Sequence, residues 1–150
     1  MNDNTGSMIL TGTHRYPIRV YYEDTDAGGI VYHANYLRFA ERARTEALRE
    51  LGVPHAELVA QHNLMFVVRR LELDYIRPAR LDDSLTVVTT PLQIAGASIT
   101  LWQCFERREE ELGGMKVRLA CVGVDAGRPE RIPPRWQEAL QPYRWREAER

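Results

Sequence analysis

The feature that most narrows the fold is one long amphipathic helix in a chain that otherwise reads mainly as strand. From Asn35 to Leu51, residues Tyr36, Leu37, Phe39, Ala40, Ala43, Ala47, Leu48 and Leu51 fall on an arc of about 180° at the helical repeat. Three alanines sit near the centre of that arc, so a sheet can approach the helix axis closely. Arg38, Arg42, Thr45 and Arg49 take the opposite side, and Gly52 and Pro54 end the helix.

Strand patterns surround it. A β-rich run from His14 to Tyr22 places Tyr16, Ile18, Val20 and Tyr22 on one face, with Pro17 marking an edge position. After a short helical piece at Ala56–His62, four runs read as strands: Met65–Ile76, Ser84–Leu92, Ala97–Phe105 and Met115–Val124. The connections Arg77–Asp83, Gln93–Gly96 and Arg107–Gly114 are short, so consecutive strands are expected to pair antiparallel. The order predicts an α+β domain, a long central helix covered by a curved five-stranded antiparallel sheet. A single sheet with one helix leaves edges open, and self-association is the expected remedy. Residues 1–13 are polar and aperiodic and read as a disordered N-terminal tail. Residues 14–132 read as the domain, and residues 133–150, carrying Trp136, Leu140, Tyr143 and Trp145, as an amphipathic C-terminal extension.

Composition excludes several function classes. A length of 150 residues holds one core, and 44% hydrophobic with 27% charged residues is ordinary for a globular chain. With 20 basic against 21 acidic residues there is no field to favour nucleic acid. No apolar run approaches the roughly 18 residues of a membrane span, and the start has no leader pattern, so a cytoplasmic location is expected. Cys104 and Cys121 are too far apart for a C-x-x-C pair and too few for a disulfide scaffold, and read as small buried residues. G-x-S-x-G, H-E-x-x-H, G-x-G-x-x-G and Walker A patterns are all missing.

Chemistry-bearing residues crowd instead into Tyr21–Glu46. Asp24, Asp26, Gly28, Gly29, His33 and Asn35 lie between the end of a strand and the start of the helix. The first-turn amides of a helix lack intrahelical partners and can bind a developing oxyanion. An aspartate beside them can attack a carbonyl carbon or deprotonate a water that does, and the glycines let backbone come close. Such a site suits an acyl group with a good leaving group. A thiolate qualifies, because a thiol with a pKa near 8.5 departs without a strong general acid.

Each residue also has a structural reading. Asp24 and Asp26 fit turn or capping roles, His33 a hydrogen-bonded imidazole, Asn35 the helix N-cap and Tyr36 the core. Arg44 lies inside the apolar arc, where an ion pair with an acid is expected, and Glu41 reads as an exposed salt-bridge partner. No metal site is expected, since no second histidine stands at i+3 or i+4 from His33.

The run EDTDAGGIVYHANY followed by LRFAERAR, with FVVRR at 66–70 and YIRPARLDD at 75–83, closely resembles the hot-dog-fold thioesterases of the 4-hydroxybenzoyl-CoA thioesterase superfamily. The nearest branch is that of the Tol-Pal-associated (YbgC-type) acyl-CoA thioesterases. The resemblance implies a hot-dog fold in homodimers or homotetramers, with sites at subunit interfaces and neither metal nor other cofactor. It assigns Asp26 as the catalytic carboxylate. It also assigns His33 as the residue whose amide polarises the thioester carbonyl, its imidazole also being taken as catalytic. His33 and Ala34 stand where aromatic-type members have Tyr-Pro, which argues for an aliphatic acyl-CoA. Gly28 and Gly29 are expected beside the substrate. Of Arg69, Arg70, Arg77 and Arg80, Arg77 is the candidate for the CoA phosphates. The competing readings are a non-catalytic module that binds acyl-CoA, acyl carrier protein or an envelope-associated partner, and a hydratase or dehydratase.

Overall fold

In a computed structural model describing residues 12–141, strands β1 (His14–Arg19), β2 (Leu64–Tyr75), β3 (Ser84–Ile94), β4 (Ser98–Arg107) and β5 (Glu110–Gly123) form one sheet. Its order is β1-β3-β4-β5-β2, with every neighbouring pair antiparallel. The helices are α1 (Asn35–Glu50), α2 (His55–His62) and α3 (Pro134–Leu140). This is the hot-dog arrangement, the sheet forming the bun around α1. Register breaks in β2 at Val68/Arg70 and in β3 at Pro91/Gln93 are bulges, which add the local twist a wrapping sheet needs. Among the described residues, no helix is long and apolar enough to cross a membrane.

The alanine-centred arc is the buried face of α1. Tyr36, Phe39, Ala40, Ala43 and Ala47 are all buried, and the first four share one core cluster with Leu85, Val87, Phe105 and Val117 from the sheet. Each large side chain buried there contributes about 1.5–3 kcal/mol over its exposed state. Gly52, at φ +78°, takes the left-handed turn that stops the helix. The helix C-terminal end is then sealed by α3: Trp136 is fully buried and its indole N–H donates to the Val53 carbonyl at 3.1 Å. Tyr143, Trp145 and most of the expected N-terminal tail lie outside the described residues.

Several expectations are corrected. Strand β1 stops at Arg19, and Tyr22, 82% exposed, belongs to a 3-10 turn over Tyr22–Asp24. The cause is the Asp24 carboxylate, which accepts the Tyr21 N–H at 2.8 Å and curls the chain out of the strand. Strands β2 and β3 are not neighbours; β2 pairs with β5 at the far edge and β1 takes the free side of β3. The 76–83 link is therefore a crossing segment, tied down by Ala79, whose carbonyl accepts the Val31 N–H and whose N–H donates to the Tyr36 hydroxyl. Strand β5 begins at Glu110, because Arg108 and Glu109 (φ 51° and 66°) make a two-residue hairpin turn without glycine. The Gly113-Gly114 pair, read as loop, lies within β5: a Cβ at Gly114 would stand 2.4 Å from the Trp102 ring. Cys104 is half-buried and Cys121 buried.

Arg44 has no acid partner among the described residues. Its guanidinium donates to Gln103 Oε1 at 2.9 Å, and the fully buried Gln103 spends its amide hydrogens on Ala40 O and Thr89 Oγ1, both at 3.0 Å. Burial depresses the Arg44 pKa, with Glu41 opposing the shift. Glu41 is exposed and makes no ion pair among the described residues.

Candidate active site

The turn between β1 and α1 is built by its two aspartates. Asp24, 7% exposed, fills both oxygens: Oδ2 accepts from Tyr21 N and Oδ1 from Asn35 Nδ2 at 2.8 Å. Asn35 is thus a clamp on Asp24 rather than the N-cap, which is Ala34. Asp26 points the other way and is exposed. Its Oδ1 accepts the Gly28 N–H at 2.8 Å, an Asx turn that fixes the carboxylate, while Oδ2 has no partner among the described residues. Gly28 faces this carboxylate, and a Cβ there would stand 3.3 Å from Oδ1. Gly29, at φ +79°, turns the chain back so that Asp26 N–H reaches the Ile30 carbonyl.

A cavity of about 390 Å³ opens beside Asp26. Ile30, Val31, Tyr36, Ile76 and Pro78 supply its apolar wall, and Asp26, His33, Tyr75 and Arg77 its polar groups. An apolar hollow of this size with a few convergent polar groups is what a small-molecule site requires. Asp26, His33 and Arg77, singled out from sequence, therefore meet on one surface. Gly28 and Gly29 lie behind Asp26 in the turn. The backbone N–H groups of His33 and Ala34, immediately before α1, have no acceptor among the described residues, and the helix dipole adds positive potential there.

The 75–83 segment forms the opposite wall. The Tyr75 hydroxyl donates to the His33 carbonyl at 2.7 Å, and its ring meets Tyr36 edge-on at 5.4 Å. Burial, with Tyr36 adding, raises the Tyr75 pKa; burial also raises that of Tyr36, against the Ala79 N–H. Both phenols are therefore neutral near pH 7, Tyr75 donating to the His33 carbonyl and Tyr36 accepting the Ala79 N–H. At the rim, Arg107 joins Asp83 at 2.8 Å and Glu110 at 2.9 Å. Burial alone would raise the Asp83 pKa, but the Arg80 amide and the Arg107 guanidinium outweigh it and hold the carboxyl below its usual range. Arg77, 62% exposed, reaches Glu110 only at 3.5 Å, a carboxylate already engaged by Arg107. Its guanidinium is left available to an anion.

Comparison with known proteins agrees with this fold. The profile of the thioesterase-like superfamily matches residues 20–140. The chain belongs to this superfamily. Within it, the chain is similar to the acyl-CoA thioesterase YbgC of Haemophilus influenzae, 47% identical over 125 residues, covering 83% of this chain and 92% of the relative. It is also similar to the acyl-CoA thioesterase YbgC of Helicobacter pylori, 40% identical over 131 residues and covering 81% and 96%. Among solved structures, a probable thioesterase from Bartonella henselae superposes with a TM-score of 0.77 at 39% identity, covering 81% of this chain and 99% of that one. The superfamily matches the resemblance carried by EDTDAGGIVYHANY. Sequence reasoning missed the side-chain roles of Tyr75, Ile76 and Pro78 in the wall. The YIRPARLDD run was the available signal, but its place opposite His33 follows only from the β2–β5 pairing.

Proposed function

We infer that this chain hydrolyses acyl-CoA thioesters to free acid and CoA at the cavity between Asp26 and the start of α1. The observation that carries the reading is that Asp26 and His33, from one turn, and Arg77, remote from them in sequence, line one cavity next to two helix-start amides that have no acceptor among the described residues. The similarity to acyl-CoA thioesterases supports the substrate class.

In this reading the acyl carbonyl oxygen lies against the His33 and Ala34 amides, which favour the charge that develops on it. Asp26, held at Oδ1 by Gly28 and free at Oδ2, delivers the attack on the acyl carbon directly or through a water it deprotonates. The C–S bond then breaks and CoA departs as thiolate, its low basicity making a dedicated acid unnecessary. After direct attack a water cleaves the acyl–Asp26 anhydride to release the acid and restore the carboxylate; after attack by water the proton taken up by Asp26 passes to the thiolate or to solvent. The His33 imidazole helps place the attacking group. Gly28 and Gly29 shape the turn that presents Asp26 to the substrate, and Arg77 binds a CoA phosphate. The mostly aliphatic wall favours an aliphatic acyl group, and we place the reaction in the cytoplasm.

Thiol release measured across a panel of acyl-CoA chain lengths tests the reading. Rapid release on at least one substrate is expected. Tight binding without release on any member would replace the enzyme with a binding module, and loss of enoyl absorbance without thiol release would indicate a hydratase.

A further inference from the structure

The two peptide groups that flank His33 are each held by their carbonyl. Tyr32 O accepts the Asn35 N–H at 2.8 Å, and His33 O accepts the Tyr75 hydroxyl at 2.7 Å. In a planar trans peptide the N–H lies opposite the C=O, so fixing these carbonyls also aims the His33 and Ala34 N–H groups. The first clamp is local to the turn. The second comes from 42 residues away, at the end of β2.

We propose that Tyr75 is a positioning residue for thioester hydrolysis, its hydroxyl fixing the His33–Ala34 peptide so that the oxyanion amides hold their orientation. This rests on the helix-start reading above. The holder is itself rigid: the Tyr75 ring meets Tyr36 edge-on, and Tyr36 is buried against Phe105 at 5.1 Å with its oxygen on the Ala79 N–H. A chain of fixed contacts thus runs from the core to the peptide. A donor on the His33 carbonyl also polarises that amide, strengthening the Ala34 N–H as a donor in turn. Stability of the fold gives little reason for the bond, because Tyr75 is 52% exposed and its hydroxyl could be satisfied by water.

Tyr75→Phe keeps the ring and removes only the donor. We expect kcat to fall about tenfold, with KM within twofold of the parent and an unchanged unfolding midpoint. A second readout isolates the carbonyl. With acyl-CoA bound to Asp26→Asn, difference infrared spectroscopy should find the thioester C=O stretch below its value in solution, and adding Tyr75→Phe should move it back toward that value. A parent-like kcat in Tyr75→Phe, a loss confined to KM, or an unmoved carbonyl band would overturn the proposal. If Asp26→Asn itself turns over at the parent rate, the assignment of the site fails. If Asp26→Asn is inactive while Tyr75→Phe is parent-like, only the role of Tyr75 fails.

Discussion

Asp24 and Asp26 stand two residues apart and do opposite work. Asp24 is consumed by the fold, since both of its oxygens are bonded inside the turn, whereas Asp26 keeps one oxygen free at the cavity. Replacing Asp24 by Ala is expected to lower the unfolding midpoint, because the Tyr21 amide and the Asn35 side chain lose their acceptor. Replacing His33 by Ala keeps the backbone N–H and removes only the imidazole, so its loss in kcat should be smaller than that of Asp26→Asn. Equal losses in steady-state assays would move the catalytic weight from the amide to the ring. Arg77→Ala should raise KM for acyl-CoA roughly three- to tenfold, since an exposed charged contact is worth little more. It should leave KM for an acyl-pantetheine thioester, which lacks the nucleotide phosphates, unchanged. The candidate residues were legible at this scale because turn, amides and carboxylate lie in one stretch of chain. Tyr75 was not, because nothing local tells that the end of one strand will bond a carbonyl 42 residues earlier.

At the scale of elements, α1 was legible almost to the residue, because its alanine stripe, Gly52 and Pro54 are local signals of packing and termination. The partner of β2 was not. Pairing across a sheet depends on which edges other strands have already taken, and β1 occupies the side of β3 that a simple hairpin would have used. The polar link under α1 was half legible: Arg44 was visibly misplaced on an apolar face, but its partner is a neutral glutamine from β4. Gln103→Leu should therefore destabilise the fold by about 1–3 kcal/mol, by leaving Arg44, the Ala40 carbonyl and Thr89 without that amide. Adding Arg44→Met should recover part of the loss, and denaturant unfolding of the single and double variants measures it. A double variant less stable than Gln103→Leu alone would contradict this.

For the whole molecule, two histidines tie stability to pH. His55 is held neutral, since its Nε2 accepts the Phe66 N–H at 3.0 Å, and burial lowers its pKa despite Glu41. His14 is buried beside Glu50, and burial lowers its pKa despite that neighbour. Both groups bind protons more weakly folded than unfolded, so their contribution is present above the ordinary value of 6.5 and is lost as pH falls through and below it. The thermal midpoint should drop between pH 7 and pH 5, and less so in His55→Gln; a flat profile in the parent would contradict the assignment. The sheet ends at β1 on one side, where Pro17 blunts the edge, and at β2 on the other, which carries no proline but is interrupted by the bulge at Val68/Arg70. We propose a homodimer or homotetramer formed across open surface of this kind, and acyl carrier protein as a further partner to be tried in binding assays. The central claim is that the Asp26 carboxylate drives thioester cleavage, and single-turnover release of CoA by Asp26→Asn, at enzyme in excess over bound acyl-CoA, tests it most directly. A fall of about 10²–10⁴-fold in the cleavage rate with unchanged acyl-CoA affinity is predicted, and release at the parent rate would contradict it.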